Sequence, residues 1–137
     1  MIISVYILFV REEEILLLRR RNTGYEDGNY SLVAGHVEDG ESVTCAALRE
    51  AGEEAGVSIE PSDLVLKTTM HRRQTDERVD FFFEPKHWQG ESVNTEPDKC
   101  DDLQWFPLNA LPENTIPYIR QAIECYQKGI FYSEFGW

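Results

Sequence analysis

The segment AGHVEDGESVTCAALREAGEEAGV, residues 34–57, constrains this chain more than any other. Its composition predicts a helix over residues 42–55, stopped by Gly56 at the position after the helix, where a left-handed residue is favoured. Within that helix Glu50, Glu53 and Glu54 fall inside one turn. Residues three and four apart are surface neighbours, and each like-charge pair there costs a few tenths of a kcal/mol. A bound cation is the most economical compensation. Thr44, Leu48, Ala51 and Ala55 share one side and are expected to face the core, with the glutamates on another. Arg49 precedes Glu53 by one turn and adjoins Glu50, within reach of either carboxylate for a charge-assisted hydrogen bond. Ala46, Ala47, Ala51 and Gly52 are small enough to let other backbone or a ligand approach.

Hard divalent cations such as Mg²⁺ take oxygen ligands: a few carboxylates, waters and the phosphates of a substrate. Three carboxylates at i, i+3 and i+4 offer such a surface from one rigid element. The preceding loop can add a carbonyl, from Gly35 or a neighbour, and Glu41 can brace Arg49 or the loop. This chemistry suits in-line displacement at phosphorus, in which metal charge offsets phosphate charge and a carboxylate takes the proton of the attacking water. Taken alone, three glutamates on a helix are more often a solvated face than a metal site.

The rest of the chain reads as one domain, 1–137, long enough to bury a core without disulfides or a structural metal. Strand-like runs cover residues 2–10 and 14–20, then a short strand over 30–34, two longer ones near 64–74 and 78–88 with QTDE between them, and another at 103–107. NTGYEDGNY, residues 22–30, is a loop by its Asn, Gly and Asp content, and a last helix is predicted near 116–128. Strands and helices mixed without regular alternation point to an α/β (α+β) domain with a layered mixed sheet. The apolar opening MIISVYILFV is short and lacks a basic leader, so it reads as a buried strand. No apolar run approaches membrane-spanning length. Three widely spaced cysteines in no ligand pattern suggest reduced thiols and a cytoplasmic setting. The net charge of −12 argues against a nucleic acid polymer as partner but leaves small phosphorylated ligands open, since a bound metal inverts local charge.

What decides between solvated face and metal site is the spacing around the glutamates. Gly35, five residues, Glu41, seven residues, Arg49–Glu50, two residues, Glu53–Glu54, one residue, Gly56 and apolar Val57 resemble the signature box of the Nudix hydrolase family, G-x5-E-x7-R-E-U-x-E-E-x-G-U. Every fixed position is filled, and Ala51 stands where a larger aliphatic is usual. The likeness extends to ILLLRRR and YSLVAGHVEDGES before and within the box and to LQWFPLNALP after it, with Val33–Ala34–Gly35 where family members often carry Pro-Gly-Gly. The resemblance implies an α/β/α sandwich with a central mixed β-sheet. It also implies Mg²⁺- or Mn²⁺-dependent hydrolysis of a nucleoside diphosphate linked to another group. Carried over position by position, Glu50, Glu53 and Glu54 become metal ligands, Gly35 supplies a backbone carbonyl, Glu53 is the leading base, and Arg49 completes the catalytic set. Glu96 is the leading further acidic ligand, with Asp101 and Asp102 as rivals.

For the substrate, the resemblance works by elimination. The ADP-ribose class carries a proline near position 72, where this chain has Arg72; the dinucleoside polyphosphate class carries a tyrosine that is missing between Val57 and Tyr118. A MutT-type enzyme acting on a nucleoside triphosphate remains, releasing nucleoside monophosphate and pyrophosphate. Arg20 matches a substrate-facing basic position, and Asn114 in LPENTIP a base-reading asparagine, although it also suits a helix N-cap. Arg72, Arg73 and Arg78 are candidate phosphate or base contacts, with cross-strand pairing to Glu77 or Asp80 as the alternative. Phe81, Phe82, Phe83, Trp105 and Phe106 are core or base-stacking aromatics. A nucleotide-binding regulatory module is the main alternative class; allylic isomerisation is disfavoured because Cys45 is poorly placed for it. The aromatic tail, GIFYSEFGW, is expected to dock on its own core or on a second copy, which keeps a homodimer open.

Overall fold

A strand that is apolar on both faces must lie between two layers. β1 (Ile2–Ile7) meets that description: Val5 and Ile7 enter one buried cluster, whereas Tyr6, with Leu8 just beyond the strand, enters another. β3 (Glu14–Arg20) repeats the alternation, with Leu16 and Leu18 on the first side and Ile15 and Leu17 on the second. The computed structural model, which describes residues 1–137, accordingly has a helix on each side of its strands.

The remaining elements are β2 (Val10–Arg11), β4 (Tyr30–Ser31), β5 (Val33–His36), α1 (Val43–Ala55), β6 (Leu64–Arg73), β7 (Glu77–Pro85), β8 (Cys100–Pro107), α2 (Pro117–Lys128) and β9 (Tyr132–Phe135). One sheet has the order β5-β1-β7-β6-β9, with β1 parallel to β7 and β6 parallel to β9 and its other pairs antiparallel. In the other, β3 pairs antiparallel with β2, β4 and β8. The chain is therefore an α/β sandwich with a mixed sheet, as expected.

The predicted strand over 2–10 divides. Leu8 N–H still bonds the Phe83 carbonyl in the first sheet, but Phe9 C=O accepts from Leu16 in the second. Apolarity runs unbroken through this crossing because both halves are buried, which is why the sequence pattern does not show it.

α1 packs on the face of Val5, Ile7 and Leu16, and α2 on that of Tyr6, Ile15 and Phe82. Ser42 Oγ accepts from Cys45 N–H at 3.1 Å and caps α1, an interaction worth about 1 kcal/mol. Gly56, at φ 69°, closes the helix in the left-handed region, and its N–H donates to the Ala51 and Gly52 carbonyls. The core face of α1 is rotated from the expected one. Ala46, Ala47, Ala51 and Ala55 are buried, but Thr44 and Leu48 only partly so. Methyl side chains let the helix backbone settle close to the sheet, and the rotation carries Glu50 inward with them. The aromatic tail docks on its own sheet: β9 extends β6, and Trp137 Nε1 donates to the His71 carbonyl at 3.0 Å. No helix is long and apolar enough to cross a membrane.

Candidate active site

The edge strand β5 brings the loop before α1 against the helix. Glu50 lies over Gly35 so closely that a Cβ on residue 35 would fall 2.1 Å from the Glu50 carboxyl carbon. Any side chain at position 35 would therefore displace the carboxylate. From the next turn, Glu54 accepts from Ala34 N–H at 2.7 Å. Both contacts tie the acidic face of α1 to the edge of the sheet.

Arg49 braces this arrangement from behind. Its Nε and Nη2 donate to the two oxygens of Glu41 at 2.8 and 2.9 Å, Nη1 donates to Glu50 at 2.6 Å and Glu53 at 3.2 Å, and Nη2 also reaches the His36 carbonyl at 3.1 Å. A planar guanidinium with five donors suits such a junction, which a lysine could not reproduce. Glu41 also accepts from Glu38 N–H, so it braces both the arginine and the loop. The Arg49 bond holds the Glu41 carboxyl down at about 2.

A cavity of about 620 Å³ opens beside this wall. Gly35, Glu50, Glu53 and Glu54 line it, and so does Glu96 from the loop before β8. Burial pushes the Glu54 carboxyl up to about 8; the Ala34 hydrogen bond opposes the shift, and the charges of Glu50 and Glu96 add to it. Burial also raises Glu50, against the pull of Arg49. The wall thus crowds carboxyls whose charged forms burial disfavours, and without a cation Glu54 keeps its proton near neutrality. An all-oxygen donor set of this kind fits a hard cation such as Mg²⁺ or Mn²⁺. As the side chains stand, no three of these groups converge as a ready-made cage: Glu50 is held by Arg49 and Glu54 by Ala34. Glu53 is the least engaged, with its side chain 57% exposed.

The rivals of Glu96 are occupied elsewhere. Asp101 pairs with Arg19 at 2.6 Å, and Asp102 accepts from the Tyr30 hydroxyl and from Gln104. Arg20 lines the cavity and donates from Nε to the Tyr25 carbonyl at 2.7 Å. Arg72 reaches the cavity but is 3% exposed: it donates to Asp80 at 2.7 and 3.3 Å, and its guanidinium lies 3.7 Å from the Tyr118 ring centre. The cross-strand pairing with Asp80 weighed from sequence is thus realised. Arg78 lines the cavity while paired with Asp76, whereas Arg73 turns to Trp137.

Asn114 is not among the cavity residues. Its amide donates to the Gly28 carbonyl at 2.8 Å and ties the loop after β3 to the start of α2; it does not cap that helix. Phe82 and Phe83 are core, Trp105 stacks on Trp88, and Phe106 packs on Tyr30. None of the five candidate stacking aromatics lines the cavity; Tyr25 and Tyr118 do. Ser4, Gln74 and Lys99, which no sequence pattern marks, line it as well. A tyrosine inside the Gly/Asn/Asp loop was the one available signal for Tyr25, because a loop has no core of its own to bury the ring.

Comparison with known proteins agrees with this geometry. The NUDIX domain family matches residues 2–125. The NAD-capped RNA hydrolase NudC of Stutzerimonas stutzeri (strain A1501) is 33% identical over 123 residues, 90% of this chain and 41% of its own length. NudC of Pseudomonas aeruginosa (strain LESB58) is 35% identical over 109 residues, 80% of this chain and 37% of its own. The chain therefore spans about two-fifths of these curated relatives. Among solved structures, a MutT NUDIX hydrolase from Burkholderia pseudomallei superposes with a TM-score of 0.83 at 28% identity, over 90% of this chain and 95% of that one. A MutT protein from Methanosarcina mazei Go1 gives 0.79 at 25%, over 93% of each chain. A family match that runs from β1 into α2, over a fold in which the glutamates of the box meet at one cavity wall, leaves a single assignment: this chain belongs to the Nudix family.

Proposed function

We propose that the chain hydrolyses a pyrophosphate bond in a nucleoside diphosphate linked to another group, with a nucleoside triphosphate as leading substrate and nucleoside monophosphate and pyrophosphate as products. One observation carries this reading: a single cavity is lined both by the carboxylates of Glu50, Glu53, Glu54 and Glu96 and by the cationic side chains Arg20 and Arg78. A phosphate chain satisfies both when divalent metal accompanies it. The metal, held by Glu50, Glu53, Glu54, Glu96 and the Gly35 carbonyl, would supply positive charge to the phosphate oxygens and acidify the attacking water.

The residues themselves divide the work. Glu53, least engaged of the three helix glutamates, accepts the proton of the attacking water. Arg49 is a positioning residue that fixes Glu50 and Glu53 relative to the end of β5. Arg20 meets phosphate from the cavity lining, and the buried Arg72, held by Asp80, supports that lining. Asn114, outside the cavity, holds the loop after β3 through Gly28.

The name of the NudC relatives favours a second reading, in which the diphosphate joins two nucleosides, as in a dinucleotide. A panel of nucleoside triphosphates, NAD and NAD-capped RNA, with Mg²⁺ and product identification, separates the two. Glu53→Gln is expected to lower turnover by 10² or more, the scale of general-base catalysis. Full activity in that variant would remove Glu53 from the base role, and tight binding without turnover of any nucleotide would favour a regulatory module.

A further inference from the structure

Part of the cavity lining is polar, and the reactions above do not use it. Ser4 lines the cavity, 2% exposed, with a hydroxyl that has no protein partner. A buried hydroxyl without a partner costs free energy unless something else meets it. Tyr25 and Gln74 also line the cavity, from two loops, and the Tyr25 hydroxyl donates to Gln74 Oε1 at 3.3 Å. Of the large apolar or aromatic side chains that remain well exposed, Tyr25 alone lines the cavity, at 42% exposure. The Arg20 guanidinium sits 5.4 Å from its ring centre, so the ring carries a cation–π contact and still has free surface.

Gln74 is oriented by its neighbours. Arg72 Nη1 donates to Gln74 Oε1 at 2.7 Å, and arginine can only donate, so the amide oxygen must face it. Arg72 is itself held by Asp80, by the Tyr6 hydroxyl at 3.3 Å and by the Tyr118 ring. The Gln74 oxygen is therefore engaged twice, and its Nε2 amide, which has no protein partner, is left as a donor beside the cavity.

We propose that Tyr25 and Gln74 form the base-recognition contact of this cavity: the Tyr25 ring stacks on the nucleobase, and Gln74 Nε2 donates to a ring-carbonyl oxygen on its edge. This deepens the nucleotide reading above and rests on it. A fixed donor selects bases that present a keto oxygen, such as guanine and uracil, over adenine, whose exocyclic amine would set donor against donor. Stacking on Tyr25 is indifferent to the base, since every base has a π-face.

The test is calorimetric binding of guanosine, uridine and adenosine monophosphates to the whole chain without metal, which separates base recognition from hydrolysis. Wild type is expected to bind the two keto bases about tenfold more tightly than adenine, the value of one hydrogen bond that adenine leaves unmet. Gln74→Leu should erase that preference. Tyr25→Leu should weaken all three about tenfold or more, and Tyr25→Phe should largely restore affinity. A preference that survives Gln74→Leu, unchanged affinity in Tyr25→Leu, or no binding of any monophosphate at millimolar concentration overturns the proposal. Binding that follows the expected pattern in a protein that hydrolyses no nucleotide would overturn the hydrolase reading and leave the base contact standing.

Discussion

Gly35 shows how a single missing side chain can serve a site. Its backbone is not in the left-handed region, so conformational freedom does not explain it; the space above it belongs to the Glu50 carboxylate. Gly35→Ala adds one methyl where Glu50 now lies and should lower turnover at least tenfold, because a displacement of about an ångström at a catalytic group is enough for that. A melting temperature close to wild type, measured alongside, would show that the loss comes from carboxylate placement; unchanged turnover would mean that Glu50 does not need its present position. The box spacing marks Gly35, but only the packed structure supplies the reason. Tyr25 and Gln74 are the opposite case. They sit in turns with no periodicity, so their convergence is a matter of tertiary distance and no local pattern announces it.

At the scale of elements, α1 is the one most legible in advance. Its C-terminal stop and its acidic face follow from residue order alone, yet its burial face shifted toward Ala46 and Ala47 because helix-to-sheet distance, a property of two elements, chose it. The β2–β3 hairpin offers a cleaner local test. Glu12 and Glu13 both have positive φ, 51° and 63°, in a two-residue turn between Arg11 and Glu14. That is the geometry favoured by Asn-Gly, and glutamate fits it poorly. The double change Glu12→Asn and Glu13→Gly should stabilise the protein by about 0.5–1 kcal/mol. Chemical denaturation would read this as a higher midpoint at unchanged slope, and no shift would show that the turn carries no such strain.

For the whole molecule, the acidic wall should set a pH dependence in metal-free protein. Glu54 titrates near 8 in the fold and near 4.5 as an ordinary glutamate, so between those values the folded chain holds a proton that the unfolded chain has released. Stability conferred by this group is then highest below about pH 4.5 and falls as pH rises toward 8. Glu41 has the opposite sign: held at about 2, it contributes above its ordinary value and loses that contribution as pH falls. Thermal melts in chelator at pH 5.5 and 7.5 should show wild type losing stability, relative to Glu54→Gln, at the higher pH. The pairwise comparison isolates Glu54 from groups such as His36, which burial lowers. Equal slopes in the two proteins would show that Glu54 is not protonated near neutrality.

The residue order by itself determined the family box, the glutamate face and the arginine within reach of it, because each depends on spacing along one helix; the sandwich followed from the resemblance that the box carries. Tertiary structure decided between Glu96 and its rivals, placing Glu96 in the cavity lining and pairing Asp101 and Asp102 elsewhere. It buried Arg72 against Asp80, took Asn114 out of the cavity and brought Tyr25 to Gln74. Those outcomes depend on which of several chemically similar side chains the packed sheets and their loops bring within a few ångströms of one another. Short-range periodicity carries no information about distances between loops far apart in sequence.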